Sequence, residues 1–245
     1  MTESASVSEL DDRLGRLAIG HRILAMEGHN DITLGHMSLR DPHGRGLWLK
    51  KSGRGLDEVF GSNDYVLIDF AGKLLSDGPC HSEWPIHAEI MKARPDVMVV
   101  GHTHAYYSVL FSAAEQELAA LNHEGANLVG NLARFRETAG LINTVELGQR
   151  LAQSLGPSSV VLMKNHGITF VGSTVEEAAL YGLFVERACR MQIEIAATGW
   201  AWSAPDDAGY DRKMSQRYHK QFFDYFARRL ARFEPHDTRD KASPG

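Results

Sequence analysis

The chain has only two cysteines in 245 residues, Cys80 and Cys189, set far apart in unrelated contexts. That scarcity argues against a disulfide framework and fits free thiols in a reducing cytoplasm. Long apolar runs are missing as well. None approaches the roughly 18 residues that a membrane span needs. The opening stretch, Met1–Leu10, has neither the basic nor the apolar segment of a secretory signal. There is no basic excess either: 26 Lys and Arg stand against 31 Asp and Glu, for a net charge of −5. That balance gives no footing for nucleic acid or an anionic membrane surface. With 43% hydrophobic and 23% charged residues, the composition is that of a globular domain able to bury a sizeable core. No internal repeat or domain boundary interrupts residues 1–233, and the polar stretch 234–245 is expected to be a disordered tail.

The most informative stretch is Asp96–Tyr107. Val97–Val100 is a β-branched apolar run that ends in His102-Thr103-His104. Side chains two apart on a strand point the same way, so a strand reaching residue 104 sets the two imidazoles side by side. Packing gives a buried strand no reason to end like this, and the pair reads as half of a metal site. The chain before it predicts a helix over 83–93 with Ser82 as N-cap and Pro85 in the first turn. Glu83 falls in that first turn, where the helix dipole favours its anion. A three-residue turn joins this helix to the strand, and antiparallel packing of the two brings Glu83 towards the histidines. His166 lies in 164–172, read as a turn between strands, and is followed by Gly167. It can approach a ligand with little hindrance, and its weight rests on the His102/His104 pair.

The remaining pattern sets the scaffold. Leu10, Leu14, Leu17, His21 and Leu24 predict a helix over 8–27, stopped by Gly28, with His21 a packed, hydrogen-bonded histidine. The loop from Gly28 to Gly35, rich in His, Asn and Asp, serves either turn chemistry or function. Strands follow at 37–40 and 47–50, then a hairpin from 65–70 to 74–76. Between them Ser52-Gly53-Arg54-Gly55 offers backbone N–H groups beside a hydroxyl, as an oxyanion-binding loop does. A helix is expected at 105–114, and 118–138, with His123-Glu124 inside it, reads as irregular. Thr144 caps a helix over 145–155, and 159–163 is a buried strand. Ser173-x-x-Glu176 reads as a capping box for a helix over 175–198. A last helix, 211–232, carries Met214, Tyr218, Phe222, Tyr225 and Phe226 on a packing or subunit-contact face.

Taken in order, five motifs carry a resemblance. They are Gly35-His36-Met37-Ser38-x-Arg40, Ser52-Gly53, His81-Ser82-Glu83-x-x-x-His87, Arg94-Pro95-Asp96 leading to His102-Thr103-His104, and Asn165-His166-Gly167. With them the chain resembles the class II aldolase/adducin family over roughly residues 8–232. The resemblance implies an α/β fold, three-layer α/β/α around a mainly antiparallel sheet. It also implies a homotetramer with active sites at subunit interfaces. By the same resemblance His102, His104 and His166 match the metal-binding histidines for one divalent ion, with zinc, manganese or iron as candidates. Glu83 matches the catalytic acid/base, which can also be a fourth ligand when no substrate is bound. Adducins share the fold but lack this ligand set, which sets an adducin-like binding module behind an enzyme.

Departures from the family pattern choose among reactions. The family's sugar-phosphate aldolases carry Asn where this chain has His36 and Ser where it has His81, both at phosphate-binding positions. Two imidazoles there imply a site rebuilt for another anion, a carboxylate. The expected activity is metal-dependent decarboxylation of a hydroxylated aromatic or keto carboxylic acid. His36, His81, Ser52, Gly53, Ser82 and Arg54 are then placed around that small carboxylate-bearing substrate. The alternatives are a retro-aldol lyase acting on a hydroxy-carbonyl or sugar phosphate, and a mononuclear non-heme iron oxygenase acting on a hydroxyaromatic acid.

Overall fold

The computed structural model describes residues 2–204 and 212–233. The expected tail, 234–245, lies outside the described residues. Apolar 3–4 spacing makes the first helix, α1 (Thr2–Leu24), which continues through one wider turn and stops where Gly28 takes φ +95°. Three antiparallel strands follow: β1 (His36–Arg40), β2 (Leu47–Lys50) and β3 (Tyr65–Ile68). Next come α2 (Trp84–Ala93), β4 (Val99–Thr103) and the short α3 (Tyr106–Ser112). The second half supplies α4 (His123–Leu128), β5 (Leu132–Phe135), α5 (Val145–Leu155), β6 (Val160–Met163) and β7 (Gly167–Gly172). Two long helices, α6 (Val175–Ala197) and α7 (Arg212–Phe233), close the order.

The seven strands form one sheet in the order β3-β2-β1-β4-β7-β6-β5, and only the β5–β6 pair is parallel. Alternation along the strands divides the core into two layers. Met37, Leu39, Val99 and Phe170 face α1 and α6, whereas Leu47, Leu49, Val100 and Val171 face α2 and α5. The architecture is therefore three-layer α/β/α around a mainly antiparallel sheet. Gly101 shows how tightly the first layer fits. It sits opposite Phe170 across β4 and β7, and a Cβ at Gly101 would lie 2.1 Å from that ring. No described helix is long and apolar enough to cross a membrane.

Several local expectations shift. The 118–138 stretch is not irregular, since it contains α4, capped by Asn122, and the edge strand β5. Residues 167–172, read as part of a turn, are the fully buried strand β7. The N-cap sits one residue later than expected: Thr174 accepts from Glu177 N, while the Glu177 carboxylate accepts from Ser173. The helix after Pro79 begins at Trp84 with Glu83 as its N-cap residue, so Ser82 is not the cap and Glu83 precedes the first turn.

Candidate metal centre

One end of the sheet gathers the histidines. His36 and His102 pair across β1 and β4, so their side chains leave the same face next to each other, with ring centroids 5.2 Å apart. His102 Nδ1 lies 2.9 Å from the Ile168 carbonyl. His104 stands one residue beyond the end of β4, and its Nδ1 lies 2.8 Å from Asp31 Oδ2. Each Nδ1 therefore carries the proton and donates it, which leaves both Nε2 atoms as lone-pair acceptors. Those two atoms are 3.0 Å apart. His166, at the turn into β7, adds its Nε2. The three histidines' ligand atoms lie within 4.8 Å of one another.

Two lone pairs facing at 3.0 Å repel unless a cation sits between them. A proton is a poor candidate, because burial first and the neighbouring imidazoles next hold His102 well below its ordinary pKa of 6.5. A shared metal ion fits the spacing: bonds of about 2.0–2.1 Å at near-tetrahedral angles put two nitrogens roughly 3.0–3.5 Å apart. The outer partners Ile168 and Asp31 are of the kind that fix ligand histidines in the required tautomer. Gly167 makes the close approach possible. A Cβ there would lie 2.5 Å from the Thr103 carbonyl and 2.7 Å from the His104 ring.

Glu83, at the start of α2, points its carboxylate into the same space. Oε2 is 3.7 Å from His102 Nε2 and 3.9 Å from His36 Nε2, while Oε1 is 3.7 Å from His166 Nε2. Oε1 also accepts the Ile142 N–H at 2.8 Å. Burial pushes the Glu83 carboxyl above its ordinary range, against the opposing pull of Ile142 and His104. A buried carboxyl held this way can carry a proton nearer neutral pH than an exposed one. His36, Glu83 and His102 also form a second convergent set with ligand atoms within 4.8 Å.

The other expected substrate residues divide. His81 is buried, packs against His36 with ring centroids 4.4 Å apart and the planes tilted by 45°, and leaves its Nε2 without a hydrogen-bond partner. Ser82 is exposed. Ser52 and Gly53 lie on the loop after β2, which is pinned through Ser52 N to the Pro79 carbonyl. Arg54 is half-exposed and its guanidinium is 3.2 Å from Asp64, so it is engaged with that carboxylate. Sequence reasoning assigned no role to Asp31 or His87. Asp31 belonged to a loop that turn chemistry alone could explain. His87 carried a signal, since it lies four residues after Glu83 and so on the same face of a helix.

This density of buried neutral histidine makes stability depend on pH. Burial holds His21, His29 and His87 at about 3. His21 is packed and bonded, with Nδ1 on the Leu17 carbonyl and Nε2 accepting from Met37 N. In the unfolded chain these rings take up protons below about 6.5, so the unfolded state gains protons first. Stability is therefore lost as pH falls from about 6.5 towards 3. The melting temperature of chelator-treated protein should drop steadily between pH 7 and pH 4, and a flat calorimetric profile over that range would contradict the neutral burial.

Comparison with known proteins adds family context. Residues 16–193 match the family model described as Class II Aldolase and Adducin N-terminal domain. The meiotically up-regulated gene 14 protein of Schizosaccharomyces pombe is 32% identical over 189 residues, covering 74% of this chain and 72% of that one. A 3,4-dihydroxyphthalate decarboxylase from Rhodococcus jostii is 27% identical over 218 residues, covering 84% and 90% respectively. In solved structures, an aldolase II superfamily protein from Pseudomonas syringae superposes with a TM-score of 0.78 at 24% identity, covering 90% of this chain and 92% of that one.

Proposed function

The chain belongs to the class II aldolase and adducin family, and from that premise we propose that it is a metal-dependent lyase that decarboxylates a hydroxylated aromatic carboxylic acid. The observation that carries this is His36, an imidazole beside His102 and facing Glu83 where the family's sugar-phosphate aldolases have an amide. The near full-length similarity to a 3,4-dihydroxyphthalate decarboxylase supports the same reading.

In this proposal His102, His104 and His166 hold one divalent ion. Such an ion, held by neutral imidazoles, supplies a Lewis acid that withdraws electron density from a chelating phenolate or carbonyl oxygen. The chain's own groups do the rest. His36 and His81 hold the carboxylate that leaves. The bond between the ring carbon and the carboxyl carbon breaks, its electron pair stays on the ring carbon, and CO2 departs. Glu83 gives its proton to that carbon as the positioned acid. Buried Ile142 N–H aims the carboxyl from behind. The proposed assembly is a homotetramer with sites at subunit interfaces. The exposed Ile32 and Tyr106, each within two residues of the candidate centre, support it.

The decisive assay loads the protein separately with zinc, manganese and iron, then supplies 3,4-dihydroxyphthalate and related hydroxybenzoates. One CO2 per acid consumed is the expected result, with neither aldehyde formed nor oxygen taken up. Aldehyde release without CO2 from hydroxy-carbonyl substrates would move the assignment to retro-aldol chemistry. Oxygen consumption with bound iron would move it to an oxygenase.

A further inference from the structure

Behind the metal-facing histidines lie buried groups that the mechanism above does not use: Ser38, His87 and the inner nitrogen of His36. His36 and Ser38 are two apart on β1 and share its α2-facing side. From the helix, Glu83 and His87 face back at a spacing of four residues. His87 Nε2 lies 2.7 Å from His36 Nδ1, and His87 Nδ1 lies 2.7 Å from Ser38 Oγ. Ser38 and His87 are fully buried and His36 nearly so.

Two imidazole nitrogens 2.7 Å apart share one proton between them, so the chain of contacts can run in one of two directions. If His36 Nδ1 donated inward, His87 would donate to Ser38 Oγ. The Ser38 hydroxyl would then hold a buried proton, and its only hydrogen bond among the described residues is the one to His87. The opposite direction gives the buried Ser38 proton an acceptor. Ser38 O–H donates to His87 Nδ1, His87 Nε2–H donates to His36 Nδ1, and His36 Nε2–H points outward beside Glu83. The Val100 carbonyl, which also lies beside His87, is the competing acceptor.

We propose that Ser38 and His87 are positioning residues that fix His36 as an outward N–H donor, and that this N–H holds an oxygen of the substrate carboxylate. The inference rests on the carboxylate-binding reading above and adds the groups that give the site its donor polarity. It also explains why an imidazole can serve an anion without carrying a charge itself.

Nitrogen-15 NMR of histidine-labelled, zinc-loaded protein reads the tautomer directly, with His36→Gln identifying the signal. The expected result is a protonated Nε2 and an unprotonated Nδ1 on His36. Phthalate, a dicarboxylate without hydroxyl groups, is the binding probe. His87→Leu should weaken phthalate binding about tenfold or more, the loss of one hydrogen bond to a charged group, while keeping one zinc per chain. His87→Gln, whose amide N–H can replace the lost donor, should stay within about threefold of the wild type. Ser38→Ala should fall between the two, and it decides the matter if His87→Leu fails to fold. A proton on His36 Nδ1, or equal phthalate affinity across the series, overturns the relay alone. Wild-type protein that binds neither zinc nor phthalate overturns the carboxylate reading and the relay together.

Discussion

Replacing Glu83 by glutamine is expected to leave one divalent ion bound per chain and to lower turnover by about two to four orders of magnitude, the range for losing a positioned acid/base. The amide oxygen can still accept the Ile142 N–H that Glu83 Oε1 accepts at 2.8 Å. The helix start and the packing around it should therefore persist. What disappears is a titrating oxygen within 4 Å of His36, His102 and His166. Steady-state kinetics with parallel metal analysis separates the outcomes. Loss of metal along with activity would make Glu83 chiefly a ligand, and retained activity would remove it from the chemistry.

The second large effect concerns the ion itself. His104→Ala should weaken metal binding by more than about 100-fold, beyond the 10–100-fold typical of losing only an outer partner. Two changes combine here. One Nε2 donor is removed from a set of three, and Asp31 loses the imidazole that it orients at 2.8 Å. His104 is partly exposed at the rim of the site, so truncation opens a space that water can fill, and the fold should survive. Asp31→Ala supplies the internal control, with a loss inside the 10–100-fold range and all three histidines still present. Competition against a chromophoric chelator measures both variants. Equal loss in the two would mean that Asp31 is itself a ligand, while unchanged affinity in His104→Ala would remove that histidine from the centre.

How much of this was legible in the sequence depends on how local each signal was. His102 could be placed from strand periodicity, because alternation is set by the backbone alone. Glu83 was legible as the residue that opens α2, although its contacts with β4 and β7 required the fold. Asp31 was not, and His87 showed only its spacing of four from Glu83, since their partners lie 73 and 51 residues away along the chain. No local spacing encodes such a pairing. β7 escaped because it is buried on both faces and so lacks the polar alternation that marks a half-exposed strand. β5 escaped for the opposite reason. It is a four-residue edge strand whose first three side chains are only partly buried, with no apolar stripe to read. The displaced N-cap reflects a real degeneracy, because Ser173 and Thr174 are each followed three residues later by a glutamate. Tertiary packing chose the second pair.

The most direct test of the metal centre is X-ray absorption at the edge of whatever ion the purified wild-type protein carries, combined with a count of ions per chain. The account predicts one ion per chain with three imidazole nitrogens at about 2.0–2.1 Å if it is zinc, the remaining scatterers being oxygen. A shell without multiple imidazoles, or protein that takes up no stoichiometric divalent ion, would contradict it.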